Sequence, residues 1–188
     1  NRNSTLTRTI TLVTVVPSIN LTYPLNTTYT SVQTALNYSV SGSPQACWYS
    51  TNLGAANTTV TCGTNVTGLS SGQGSSTWKV YANNSAGTQN SSSVTFFVDS
   101  VVPIINVSSP TNTTYTSTNI SDNFTTSDLN GISARWIYNG SANISYSGIT
   151  STVVPQGSHS FIFYSNDTTN NLNSTSVTFY AEDVSLTA

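Results

Sequence analysis

The chain has 188 residues, 36% of them hydrophobic and only 5% charged, with a formal net charge of −2. The hydrophobic share is enough for packed cores and too high for a disordered chain. Four basic residues cannot build a phosphate-binding stripe, which argues against nucleic acid as a partner. No apolar run approaches the ~20 residues of a membrane-spanning helix. No signal peptide is visible, so either one is removed or the chain has none.

The first element is residues 5–16, TLTRTITLVTVV. Leu6, Ile10, Leu12 and Val16 fall on one side, and Thr5, Thr7, Thr9 and Thr11 on the other. A period of two with one apolar face predicts a strand that is buried on one side. After it, strands are expected near residues 18–23, 32–40, 46–51, 57–62, 64–70, 77–83 and 92–99. Glycine-containing turn signals such as Gly54, Gly72, Gly74 and Gly87 separate them. Trp48, on the third of these strands, is expected in the core. Cys47 and Cys62 are the only cysteines. In an exported chain such a pair predicts a disulfide between neighbouring strands, contributing about 3 kcal/mol by constraining the unfolded chain.

The chain then repeats. VVPSINLTYPLNTTYTS (15–31) returns as VVPIINVSSPTNTTYTS (101–117), with twelve of seventeen positions identical at an offset of 86. VYANN (80–84) answers FYSND (163–167), and SVTFFVD (93–99) answers SVTFYAED (176–183). Strands of the second copy are expected near 104–108, 118–126, 132–138, 142–147, 149–155, 159–165 and 174–182. Trp136 takes the place of Trp48. About seven short strands in some 85 residues fit a β-sandwich. The fold class is therefore all-β: a strand over 1–16, one sandwich over 17–100 and a second over 101–188.

Ser, Thr and Asn fill 87 positions, and sixteen asparagines stand in Asn-X-Ser/Thr sequons. They are Asn3, Asn20, Asn26, Asn37, Asn57, Asn65, Asn83, Asn90, Asn106, Asn112, Asn119, Asn123, Asn139, Asn143, Asn166 and Asn173. That is roughly twice what the residue frequencies give. In a chain with so few charges, the excess predicts a glycan coat that keeps an exported surface solvated.

Catalytic constellations are not found. His159 is the lone histidine, and G-x-S-x-G, HExxH, P-loop and CxxC motifs are missing. Asp99 and Asp183 stand at domain ends, but calcium needs six or more oxygens, so no metal is expected. Lys79 is the only lysine, which limits any Lys–Asn isopeptide to the first domain. No cofactor and no enzyme activity are expected. With six carboxylates, the fold has little to lose when they are protonated, so tolerance of acid is expected.

DLNGIS (128–133) ahead of Trp136, and the VYANNSAG…VTFFVD ending, resemble tandem Ig-like domains of prokaryotic surface proteins. Laying residues 9–17 over 95–103 puts the opening strand where a preceding domain's last strand would stand. A second subunit could fill that place by donor-strand complementation, with Leu6, Ile10, Leu12 and Val16 facing the acceptor core. The alternative is an extra edge strand in its own domain. The Thr-rich opening strand, the two NTTYTS repeats and the sequon density are similar to subunits of the archaeal thread, a glycosylated filament. That resemblance implies an extracellular homopolymer of identical subunits carrying N-glycans, and the repeat register makes the second domain the expected acceptor. Two other readings share the domain features. One is an S-layer or adhesin fragment. The other is a carbohydrate-binding module using Tyr23, Tyr29, Tyr115 and Trp78 as a platform.

Overall fold

The computed structural model describes residues 15–183. Among them there is no helix, and the chain parts into two compact units between Val98 and Asp99. The first unit contains β1 (Ser18–Tyr23), β2 (Thr28–Tyr29), β3 (Ala35–Ser41), β4 (Ala46–Ser50), β5 (Thr58–Val60), β6 (Val66–Thr67), β7 (Gly74–Asn83) and β8 (Gln89–Val98). The second contains β9 (Ile104–Ser109), β10 (Thr114–Tyr115), β11 (Asn119–Ser127), β12 (Ile132–Tyr138), β13 (Asn143–Ser145), β14 (Thr150–Val153), β15 (Gly157–Asp167) and β16 (Leu172–Ala181).

Each unit stacks a three-stranded sheet on a five-stranded one. The orders are β1-β3-β6 over β2-β8-β7-β4-β5, and β9-β11-β14 over β10-β16-β15-β12-β13. Alternation on the long strands makes this possible. In β7, Trp78, Val80 and Ala82 are buried; in β15, Phe161, Phe163 and Ser165 are. Opposite them stand Leu36 and Tyr38 of β3, or Ile120 and Phe124 of β11. Edge-to-face ring pairs such as Trp78–Phe96 and Phe161–Phe179, 5.2 and 5.0 Å between centroids, fill the layer between the sheets.

Eight strands form in each unit where seven were expected. The additional pair, β2 and β10, is the Thr-Tyr of each NTTYTS motif. These two residues run parallel to the last strand, Thr28 beside Phe97 and Thr114 beside Tyr180. A two-residue parallel pairing leaves no periodic trace in a sequence. Trp48 and Trp136 also depart from expectation. Neither belongs to a core cluster; the core tryptophan of the first unit is Trp78, 1% exposed.

A repeated tether explains part of the sequence repeat. Asn90 Nδ2 donates to the Pro17 carbonyl, and Asn173 Nδ2 to the Pro103 carbonyl, both at 2.8 Å. Each holds a buried proline at the entry to a unit against that unit's last strand. Asn90→Ala and Asn173→Ala are each expected to cost about 1 kcal/mol in denaturant unfolding, because the proline carbonyl loses its donor. No change in midpoint would show that water replaces the amide at no cost.

Candidate functional site

The alternation that buries Trp78, Val80 and Ala82 turns Lys79, Tyr81 and Asn83 to the outer face of the five-stranded sheet. Trp48 lies directly across from Tyr81 and stacks on it, with centroids 5.5 Å apart and planes 10° from parallel. In the second unit Trp136 lies across from Tyr164 and stacks at 5.1 Å and 7°. Both tryptophans are half-buried. Lys79 Nζ sits 4.8 Å from the centre of the Tyr81 ring and adds a cation–π contact. The register extends each stack into a row across the sheet. The rows are Thr59–Trp48–Tyr81–Ser91 and Ser145–Trp136–Tyr164–Ser174.

The aromatic platform read from the sequence is not formed. Trp78 is buried, Tyr29 packs edge-on between Tyr23 and Phe96, and Tyr115 packs on Phe179. The rows around Trp48 and Trp136 turn stacked aromatics to the outer face instead. Sequence alternation around Cys47-Trp48-Tyr49 could not reveal this, since three large or apolar residues in succession leave the buried face undefined.

Of the sequon asparagines, Asn3 lies outside the described residues, and none of the other fifteen is buried. Their amides differ in what they already do. Asn65 Oδ1 accepts from Tyr38 N, Asn83 Oδ1 from Ala46 N, and Asn139 Oδ1 from Ser141 N and Ala142 N. Asn123 Oδ1 accepts from the Tyr146 hydroxyl, and Asn166 Nδ2 donates to Asn170 Oδ1.

Cys47 and Cys62 are bonded, with Cα atoms 5.1 Å apart. The bridge joins β4 to the residue two beyond β5 and so staples neighbouring strands. His159 is partly exposed, its Nε2 2.7 Å from the Pro155 carbonyl. Of the donor-strand residues, Leu6, Ile10 and Leu12 lie outside the described residues, and Val16 is 48% exposed.

One cluster of acids was not foreseen as a group. Asp99, Asp128 and Asp167 bring carboxylate oxygens within 4.8 Å of one another, with Asp99 and Asp167 buried. Asp99 Oδ2 accepts from the Thr169 hydroxyl at 3.1 Å. Asp167 Oδ1 accepts from Thr169 N and Asn171 N, each at 2.8 Å, and its Oδ2 from Asn171 Nδ2. Burial would raise the Asp167 pKa, but these donors outweigh it and hold the carboxyl below its ordinary range. Three carboxylates are a partial oxygen set for a hard cation, short of the six or more that calcium takes. Asn84 occupies the Asp167 position in the first unit and keeps the turn, its Oδ1 accepting from Ala86 N and Thr88 N. Three segments far apart in sequence supply the cluster, so no local motif announces it.

No family model and no curated protein sequence matches the chain. Solved structures do. The two immunoglobulin domains of DIP-gamma align over 91% of this chain and 99% of theirs, with 12% identity and a TM-score of 0.54. Sidekick-1 immunoglobulin domains 1–4 align over 93% of this chain and 51% of theirs, with 12% identity and a TM-score of 0.55. Both units are Ig-like. At this identity the similarity establishes the Ig-like fold alone. In that fold the aromatic rows sit on the outer face of the larger sheet, and the acid cluster gathers where the chain enters the second sandwich.

Proposed function

We propose that the protein is a non-enzymatic structural subunit of an extracellular, glycan-coated cell-surface filament. Its N-terminal strand, residues 5–16, adds to the C-terminal Ig-like unit of an adjacent identical subunit. The observation that carries this reading is the edge of β16. This strand pairs along its whole length with β15, but on its other side it meets β10 only at Tyr180 and Ala181. Residues 172–179, LNSTSVTF, form a long edge with neither charge nor proline to discourage pairing. An alternating strand with Leu6, Ile10, Leu12 and Val16 on one face has the pattern such an edge accepts. Donor at one end and acceptor at the other make a heterologous contact, which does not close and gives an open polymer. The sequons, none of them buried where described, supply the solvated coat that so few charges cannot.

Deleting residues 1–14 is expected to leave both sandwiches folded by circular dichroism and to convert filaments to monomers in electron micrographs. Ile10→Asp should act in the same direction, since a charge buried without a partner costs several kcal/mol. Filaments assembled from the deletion variant end this reading.

A further inference from the structure

The two aromatic rows share a feature that packing does not require. Thr59, opposite Trp48, is the third residue of the sequon Asn57-Thr58-Thr59. Ser145, opposite Trp136, is the third residue of the sequon Asn143-Ile144-Ser145. Each unit therefore places a sequon asparagine two residues before the one that faces its tryptophan, Asn57 just ahead of β5 and Asn143 at the start of β13. Asn143 is itself in register with Tyr138, on the same face as Trp136. Diagonal neighbours of this kind lie about 7–8 Å apart between backbones, within reach of large side chains. Both asparagines are exposed. Lys79 and the disulfide of the first unit have no counterpart beside Trp136.

We propose that the Trp48–Tyr81 and Trp136–Tyr164 stacks are docking platforms for the protein's own N-glycans, attached at Asn57 and Asn143. The ligand is a hexopyranose of the attached chain, which lays its C–H face on the indole. Each tyrosine stacks on one face of its indole, which leaves the opposite face, on the side of Thr59 or Ser145, for one sugar ring. The linkage holds the sugar at a high effective concentration, so weak stacking suffices. Docking would cover half-buried tryptophans that the sheet leaves facing water. The inference rests on the glycosylated reading given above and adds where two of the glycans lie.

The test uses glycosylated protein from its native host. Glycopeptide mapping first shows whether Asn57 and Asn143 carry sugar; bare asparagines overturn both the glycan at these sites and its docking. Acrylamide quenching of tryptophan fluorescence then reads the platform, with Trp78, 1% exposed, as the protected background. In the double variant Asn57→Gln, Asn143→Gln the quenching slope should steepen roughly two-fold, because two of the three tryptophans lose a cover. The control double variant Asn20→Gln, Asn106→Gln removes sequons from β1 and β9, on the three-stranded sheets, and should leave the slope unchanged. Occupied sites with equal slopes in parent and Gln variant overturn the docking while sparing the glycan coat. Added free oligosaccharide that protects parent and variant alike assigns the platform to a foreign glycan and also overturns it.

Discussion

Replacing Asp122 with leucine is expected to stabilise the second unit at pH 7 by about 1–3 kcal/mol. The equivalent site of the first unit holds an apolar side chain. Asn37–Tyr38 and Asn123–Phe124 are corresponding positions 86 residues apart, so Asp122 stands where the first unit has Leu36. Both residues are 0% exposed. Asp122 Oδ2 accepts a 2.6 Å bond from the Thr152 hydroxyl, while Oδ1 is buried with no hydrogen-bond partner. Burial pushes the Asp122 pKa above its ordinary value, against a smaller opposing effect of Thr152. A carboxyl whose pKa is raised on folding holds its proton more tightly in the folded state. Its penalty is therefore present at neutral pH and disappears as pH falls from the folded pKa to the unfolded one. The advantage of Asp122→Leu should shrink over that same window, and the native protein should gain stability there. Asp167 acts in the opposite sense at lower pH: the stability it contributes is lost only as pH falls below the ordinary aspartate range. Urea titrations of parent and variant at pH 7, 5 and 4 check the sign; a variant less stable than the parent at pH 7 contradicts it.

Reducing the Cys47–Cys62 bond, or replacing both residues with alanine, should destabilise the first unit by about 3 kcal/mol and leave the second unmoved. The bridge closes a loop with a sequence separation of 15, and Cys47 is fully buried. The second unit solves the same problem without sulfur. Arg135 precedes Trp136 as Cys47 precedes Trp48, and its guanidinium lies 5.4 Å from the centre of the Tyr146 ring. Tyr146 is buried, 4.2 Å between centroids from Phe124, and donates its backbone N–H to the Arg135 carbonyl. Calorimetry with and without reductant should shift one of two transitions. A shift in both would mean that the units do not unfold independently.

Much of the architecture was legible because alternation is strict on the long strands. Residues 77–83 and 159–165 announce β7 and β15, and the NTTYTS repeat announces two units. What stayed hidden depends on partners distant in sequence. The two-residue strands β2 and β10 exist only beside the ends of β8 and β16. The outward direction of Trp48 is fixed by its register with Tyr81, since the local order of side chains suits either face. Of the acid cluster, Asp99 stood out at a domain end. Asp128 and Asp167 join it only because a turn and a strand terminus converge on the same place.

The parallel pairing of β2 with β8, and of β10 with β16, has a mechanical meaning. In the filament proposed above, tension would pull the entering strand of a sandwich toward one end and the departing strand toward the other. Two parallel strands drawn this way slide along each other, so their hydrogen bonds resist together instead of opening one at a time. In the first unit that load falls on the Thr28–Phe97 and Tyr29–Val98 pairs and on the bond from Phe97 N to the Thr27 carbonyl. In the second it falls on the bonds from Tyr180 N to Thr113 and from Glu182 N to Tyr115. The motif that reads in the sequence as a bare repeat of Asn, Thr and Tyr would thus act, under the load of such a filament, as a shear latch in each Ig-like unit.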